Sequence, residues 1–211
     1  MRSALPGHTS TGSSRSPRIE LEAKDMPRYY ELRDDLHHPG RWHLRSPVDE
    51  HGQKLNPWQF TESRRLEPQG HIRFPVRPDG VTLDFTQDAF ANPVLHARVV
   101  QLFEHMGIQE VQFLPVQVDG HPGPYFILNA LRILRCIDEA RCAEVQYFTP
   151  EDGQPEKVGE YKYVRGMRID PAKAEGARVF RAWGWDALIV SEDLKQALEH
   201  EGLTGPVFTE V

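Results

Sequence analysis

Short runs in which apolar and polar residues alternate dominate this chain, and helical spacing interrupts them twice. The period-two runs predict strands at Met26–Leu32, Val81–Phe85, Glu110–Val118, Tyr125–Leu134, Glu144–Phe148, Tyr161–Ile169, Arg178–Trp183 and Val207–Val211. Leu188-Ile189-Val190 is a short apolar run. Turn formers in Asp119–Pro124 join two of the runs into a hairpin, and the acidic loop Thr149–Glu160 joins another pair. Pro115 cannot donate to a ladder, so its strand is expected to be an edge or bulged there. Residues 34–73 are irregular, broken at Pro39-Gly40, Asn56-Pro57 and Pro68-Gln69-Gly70, with Trp42, Trp58 and Phe60 as the expected anchors into the core.

The first helix is predicted over about 92–106. Asn92 reads as its N-cap and Pro93 as N1, with Leu95, Val99, Leu102, Phe103 and Met106 as the apolar stripe. The second is predicted over about 191–201, with the Ser191 oxygen accepting from a first-turn N–H and Glu192 and Asp193 favoured by the helix dipole. Leu194, Ala197 and Leu198 share its buried face. Both helices end in glycine followed by an apolar residue, Gly107-Ile108 and Gly202-Leu203, as a Schellman stop requires. Asp170–Lys173 reads as one helical turn. The pattern is that of an α+β fold, an antiparallel meander with two principal helices. No βαβ alternation or glycine fingerprint supports a doubly wound sheet.

Composition changes this picture mainly at the N-terminus. Residues 1–25 are rich in Ser, Pro, Gly and Arg, with Ile19 and Leu21 as their apolar pair, and are expected to be a disordered extension. Met26 is then the expected natural start, and residues 26–211 a single domain. Lys and Arg total 25 against 31 Asp and Glu; beyond residue 25 the balance is 21 against 28. An acidic domain argues against direct nucleic-acid binding and suits a basic protein partner. No apolar run reaches the ~18–20 residues of a membrane span. Without a secretory signal, and with two cysteines that form no framework, Cys136 and Cys142, the expected location is the cytoplasm.

Candidate chemistry is sparse. His37-His38 near Asp34 and Asp35 lacks helical ligand spacing and reads as a solvated loop. Ser191, Asp186 and His200 are the residue types of a nucleophilic triad, but the nucleophile elbow is missing and capping accounts for the serine. Cys136 reads as a small buried hydrophobe. Tyr161, Tyr163 and Arg165 are expected on one strand face, as an ordinary sheet surface. Trp183-Gly184-Trp185-Asp186 either plugs the end of the core or forms an exposed aromatic anchor of the kind enriched at hot spots. Asp138, Glu139, Glu144, Glu151, Asp152, Glu156 and Glu160 supply dense acid on two loops. No catalytic, cofactor-binding or metal-binding residue is assigned.

The C-terminal run Val179-Phe-Arg-x-x-Gly-Trp-x-x-Leu-Ile-Val-Ser-x-x-Leu-Lys-x-Ala-Leu-Glu-x-x-Gly-Leu-Thr-Gly-x-x-Phe208 resembles the signature of the myxobacterial-type immunity-protein family of bacterial polymorphic-toxin systems. The resemblance continues in Met26-Pro-Arg-Tyr-Tyr-Glu-Leu, Asn56-Pro-Trp-Gln-Phe, Phe113-Leu-Pro-Val and Tyr125-Phe-Ile-Leu-Asn-Ala-Leu. It implies a non-enzymatic protein that binds and neutralises a cognate toxin domain encoded alongside, with a nuclease among the toxins that fit. The acidic residues above, with Trp183, Trp185 and Asp186, are then the expected toxin contacts. The competing expectations are a small-molecule enzyme using the Trp183–Asp186 corner, or an adaptor for a partner other than a toxin. The sequence leaves the oligomeric state open.

Overall fold

A computed structural model describes residues 27–67 and 70–211. The expected extension over residues 1–25, the start at Met26, and Pro68 and Gln69 of the third breaker lie outside the described residues. In chain order the strands are β1 (Tyr29–Asp34), β2 (Ile72–Phe74), β3 (Phe85–Gln87), β4 (Pro93–His96), β5 (Val111–Val118) and β6 (His121–Ala130), followed by β7 (Ile133–Leu134), β8 (Glu144–Tyr147), β9 (Tyr161–Arg165), β10 (Val179–Ala182), β11 (Leu188–Ser191) and β12 (Pro206–Glu210). Helix α1 (Ala97–His105) follows β4, and α2 (Glu192–His200) follows β11.

Two five-stranded sheets result, ordered β12-β1-β11-β10-β7 and β2-β5-β6-β4-β3, with β8-β9 as a separate ribbon. The α+β class holds, but the strand order is not a meander. The first strand lies between the last two, and β10 with β7 and β2 with β5 pair in parallel. Local patterning reports which residues pair with a sheet face, and it carries no information on such long-range neighbours.

Local differences have identifiable causes. Asn92-Pro93 opens strand β4, not a helix; proline is equally at home as a strand's first residue. Pro93, Val94 and Leu95 are all buried, as in a strand covered on both faces. The helix begins after His96, whose Nδ1 accepts from Arg98 N at 3.3 Å. Its stop is a full Schellman pair, Ile108 N to Phe103 O at 3.0 Å and Gly107 N to Glu104 O at 2.9 Å. In α2, Ser191 holds the N-cap position, but its hydroxyl donates to the Asp193 carboxylate and caps no backbone N–H. Residues 81–84 are not a strand, because Asp84 is drawn to Thr204 and Arg98 instead. The turn between β5 and β6 is only Asp119-Gly120, and the expected loop residues His121–Pro124 are strand. Pro115 lies past the end of β2, where β5 is an edge, and the ladder slips between Val116 and Val118.

Three apolar clusters fill the structure. One packs Val99, Val100 and Phe103 of α1 and Leu194 and Leu198 of α2 against strands of both sheets. A second packs Phe180 and Ile189 against Tyr161 and Val164 of the ribbon. The third surrounds Trp42, Phe60 and Phe74. A buried polar knot ties the sheets together: Asp34 Oδ2 accepts from Arg41 Nη2 at 2.5 Å and Gln87 N at 3.1 Å, and Arg41 Nη2 also reaches Thr86 Oγ1 at 2.8 Å. Beside it, Thr204 N and Oγ1 donate to Asp84 Oδ2 at 2.9 and 3.0 Å, and Gly205 O accepts from Asp35 N at 2.7 Å. The Thr-Gly pair of the C-terminal run thus docks the last strand onto the second sheet.

Candidate functional site

Strand β10 ends at Ala182 and must reverse into β11 within five residues. Trp185 N donates to Ala182 O at 3.3 Å and Ala187 N to Trp185 O at 2.8 Å, which closes the corner. Gly184 takes φ +70°, and a Cβ there would lie 3.3 Å from the Tyr161 ring, so both conformation and space call for glycine. Trp183 N donates to Leu134 O at 2.8 Å, anchoring the corner to β7. Both indoles are half-buried against the second cluster, so each plugs the core with one side and presents the other. The Arg135 guanidinium sits 3.5 Å from the Trp183 ring centroid, a cation–π contact.

The ribbon supplies the facing wall. Its register slips at Tyr147, which pairs with Tyr161, so Lys162 is an extra residue without a partner. That slip turns Tyr161 inward with Val164 and leaves Tyr163 40 % exposed, so Tyr161, Tyr163 and Arg165 do not share one face. Tyr161 stacks on Tyr147 at 5.2 Å, and its hydroxyl donates to Glu139 Oε1 at 2.8 Å. Hydrogen bonds from Tyr147 and Tyr161 hold Glu139 below the usual carboxylate range, while burial, reinforced by Glu139, pushes the Tyr161 phenol up.

Between corner and ribbon lies a cleft of about 410 Å³ lined by Trp58, Phe148, Tyr161, Trp183 and Trp185, with Ile133, Lys157, Glu160, Arg181 and Asp186 among its polar and apolar edges. Trp58 is 54 % exposed and is not a core anchor, whereas Trp42 and Phe60 are. Pro57–Phe60 is a single 3₁₀ turn, in which residues two apart point to different sides, so Phe60 enters the core and Trp58 cannot. Trp58 instead meets Phe90 edge-on at 5.5 Å.

Of the ten residues expected to contact a toxin, Glu160, Trp183, Trp185 and Asp186 meet at this cleft. The others are spread over the ribbon and its approach. Asp138 lies 3.8 Å from Arg141, Glu144 3.4 Å from Arg165, and Asp152 pairs with Lys162 while accepting from Thr149 N at 2.9 Å. Glu151, Glu156 and Glu160 have no cation within ion-pair distance among the described residues. Trp58, Phe148, Tyr161 and Arg181 escaped the sequence reading as cleft residues. The available signal was Asn56-Pro57, a turn too short to bury both rings that follow it.

Other candidates are held apart or closed off. Ser191 and His200 lie at opposite ends of α2, on the order of 13 Å apart at ~1.5 Å rise per residue. Cys136 is fully buried, its thiol pushed up to about 11 by burial, and it donates weakly to Leu134 O. His37 is exposed, and among the described residues no three His, Cys, Asp or Glu side chains gather as a metal site would need. No helix among the described residues is long and apolar enough to cross a membrane. A comparison with curated proteins returned no match. The profile of an immunity protein family matches nearly the whole chain, residues 13–211, and the chain belongs to that family, Imm11.

Proposed function

We propose that this immunity protein binds one cognate toxin domain stoichiometrically, as a single domain over residues 26–211 without a reaction of its own, and that the aromatic cleft with its acidic rim is the contact face. The carrying observation is the grouping of exposed Trp58 and half-buried Trp183 and Trp185 around one cleft with Glu160, which has no cation within ion-pair distance among the described residues and ends the loop that carries Glu151 and Glu156. Aromatic rings in a concave site give tight binding centres, and rim charge steers approach. A basic toxin, such as a nuclease, fits that rim, with the acidic loop occupying its phosphate track. The toxin is expected to be encoded by a neighbouring gene and met in the cytoplasm. A specific interface of this kind covers ~1,200–2,000 Å².

The test is binding kinetics with the co-encoded toxin domain at low and high salt. Glu151 and Glu156 are the residues to reverse to Lys, because Asp152 also shapes its own turn. The double reversal should slow association and flatten its salt dependence, leaving dissociation nearly unchanged. Trp185→Ala should speed dissociation, with a loss on the order of 2 kcal/mol or more. Association that ignores both salt and the reversal would remove the acidic rim from the interface. A folded Trp185→Ala protein that dissociates at the wild-type rate would place the contact face elsewhere.

A further inference from the structure

The aromatic cleft shares a wall with a second one. That wall is the pair Arg181–Asp186, which lines both the aromatic cleft and a neighbouring cleft of about 280 Å³ bounded by Leu32, Gln87 and Leu188. Arg181 is the hidden member at 3 % exposure, while the Asp186 side chain is 41 % exposed. Arg181 Nη1 donates to Asp186 Oδ1 at 2.6 Å. Its Nε and Nη2 are buried and meet no acceptor among the described residues.

These two N–H groups belong together chemically. They lie side by side on one edge of the planar guanidinium, the edge that gives two parallel hydrogen bonds to the oxygens of one carboxylate. Burial lowers the pKa of Arg181 and Asp186 opposes that shift, so the charge is poorly compensated where it stands. A buried cation with a whole edge unmatched is unfavourable, and a carboxylate on that edge reverses the balance.

We infer that Arg181 is the receptor for one acidic side chain of the toxin, which enters beside Trp185 and pairs with Nε and Nη2. The inference rests on the toxin-binding reading of this face. The entrance carries Glu160 and Asp186 beside Lys157, a balanced set that does not gather a free small anion by charge alone. A carboxylate carried by a protein is driven past them by the remaining contacts. Both nitrogens are shut off from solvent, so entry requires the Trp183–Asp186 corner to yield as the partner docks.

The test uses the full chain and the co-encoded toxin domain. Arg181→Met keeps an unbranched apolar stem and removes the charge, leaving Asp186 accessible to water. This variant should melt at or about 2–4 °C above the wild type, yet bind the toxin about 30-fold or more weakly. Arg181→Lys, which keeps a charge but not the edge, should also bind weakly. Changing the toxin's acidic residues singly to amides should reveal one whose loss weakens the wild type and not Arg181→Met. An Arg181→Met protein that loses melting temperature but binds as tightly as the wild type makes Arg181 structural and overturns the inference. The contact face then still stands if Trp185→Ala speeds dissociation. Stabilisation of the isolated protein by acetate or inorganic phosphate, lost in Arg181→Met, would instead make the ligand a free anion and overturn the toxin source. A wild-type protein that does not bind the toxin at all removes both readings.

Discussion

Gly205 stands where the last strand leaves α2 and meets the second sheet. Its φ is +99°, and a Cβ on it would lie 2.0 Å from Phe85 O, so a side chain meets both a disfavoured backbone and an immovable carbonyl. Gly202, three residues earlier, also has positive φ, at +59°, but nothing lies within 4 Å of a Cβ built there. Alanine at the two sites therefore separates the two effects. Gly202→Ala should cost about 1 kcal/mol from backbone conformation alone. Gly205→Ala should cost at least about 2 kcal/mol more, because the Phe85–Thr204 contact must open. Urea unfolding followed by tryptophan fluorescence measures both, and equal losses would show that Phe85 O is not the obstacle. The same scale explains why an isolated residue type says little here: Ser191, Cys136 and His37 look reactive on paper, and position and burial leave them without the partners that chemistry needs.

Among the elements, α2 shows how far local signals reach. Leu194 and Leu198 were legible as its buried face from spacing, although Ala197, expected beside them, is only half-buried. Gly202 was legible as its stop, where only the inner bond of the expected Schellman pair forms, Gly202 N to Glu199 O at 3.1 Å. Leu198 is 1 % exposed in the cluster that joins both helices to both sheets, so Leu198→Ala should cost ~2–5 kcal/mol. A melting temperature unmoved by that change would mean the helix face packs loosely or elsewhere. Legibility fails where one signal serves two structures. Asn92-Pro93 suits a helix start and a strand start alike, and only the neighbours β3 and β6 decide for the strand. The slip in the ribbon at Lys162 has no marker in the alternating run Tyr161–Arg165, yet it sends Tyr161 inward and shapes the cleft. Of the cleft, its Trp183–Asp186 side and Glu160 were legible, but not that the two meet. Its other residues come from residues 58–61, 133 and 148–161, and nothing local tells such distant segments that they meet.

At the scale of the whole molecule, an acid excess gives the surface its electrostatic character, and the order of strands gives the fold its history. Strand β1 lies between β11 and β12, with Tyr30 opposite Val190 on one side and Glu210 on the other. Its partners are therefore made last. At a synthesis rate of ~5–20 residues per second, β1 waits roughly 10–30 s for either of them, and such non-local pairing is also slow to form once the chain is complete. A nascent chain consequently offers β1, with the apolar side chains of Tyr29, Tyr30 and Leu32 uncovered and both edges open, until residue 188 and beyond are made. A chain stopped after Ala187 should then fail to protect and should aggregate or be degraded, as pulse proteolysis of stalled and released chains would reveal. Protease resistance already present in the stalled chain would show that β1 finds shelter without its C-terminal neighbours. For a cell exposed to the toxin, the consequence is one of timing. On the toxin-binding proposal, a molecule made from scratch becomes competent only when the final strands arrive, so protection against the first toxin to act is expected to come from a reserve of finished molecules rather than from rapid new synthesis.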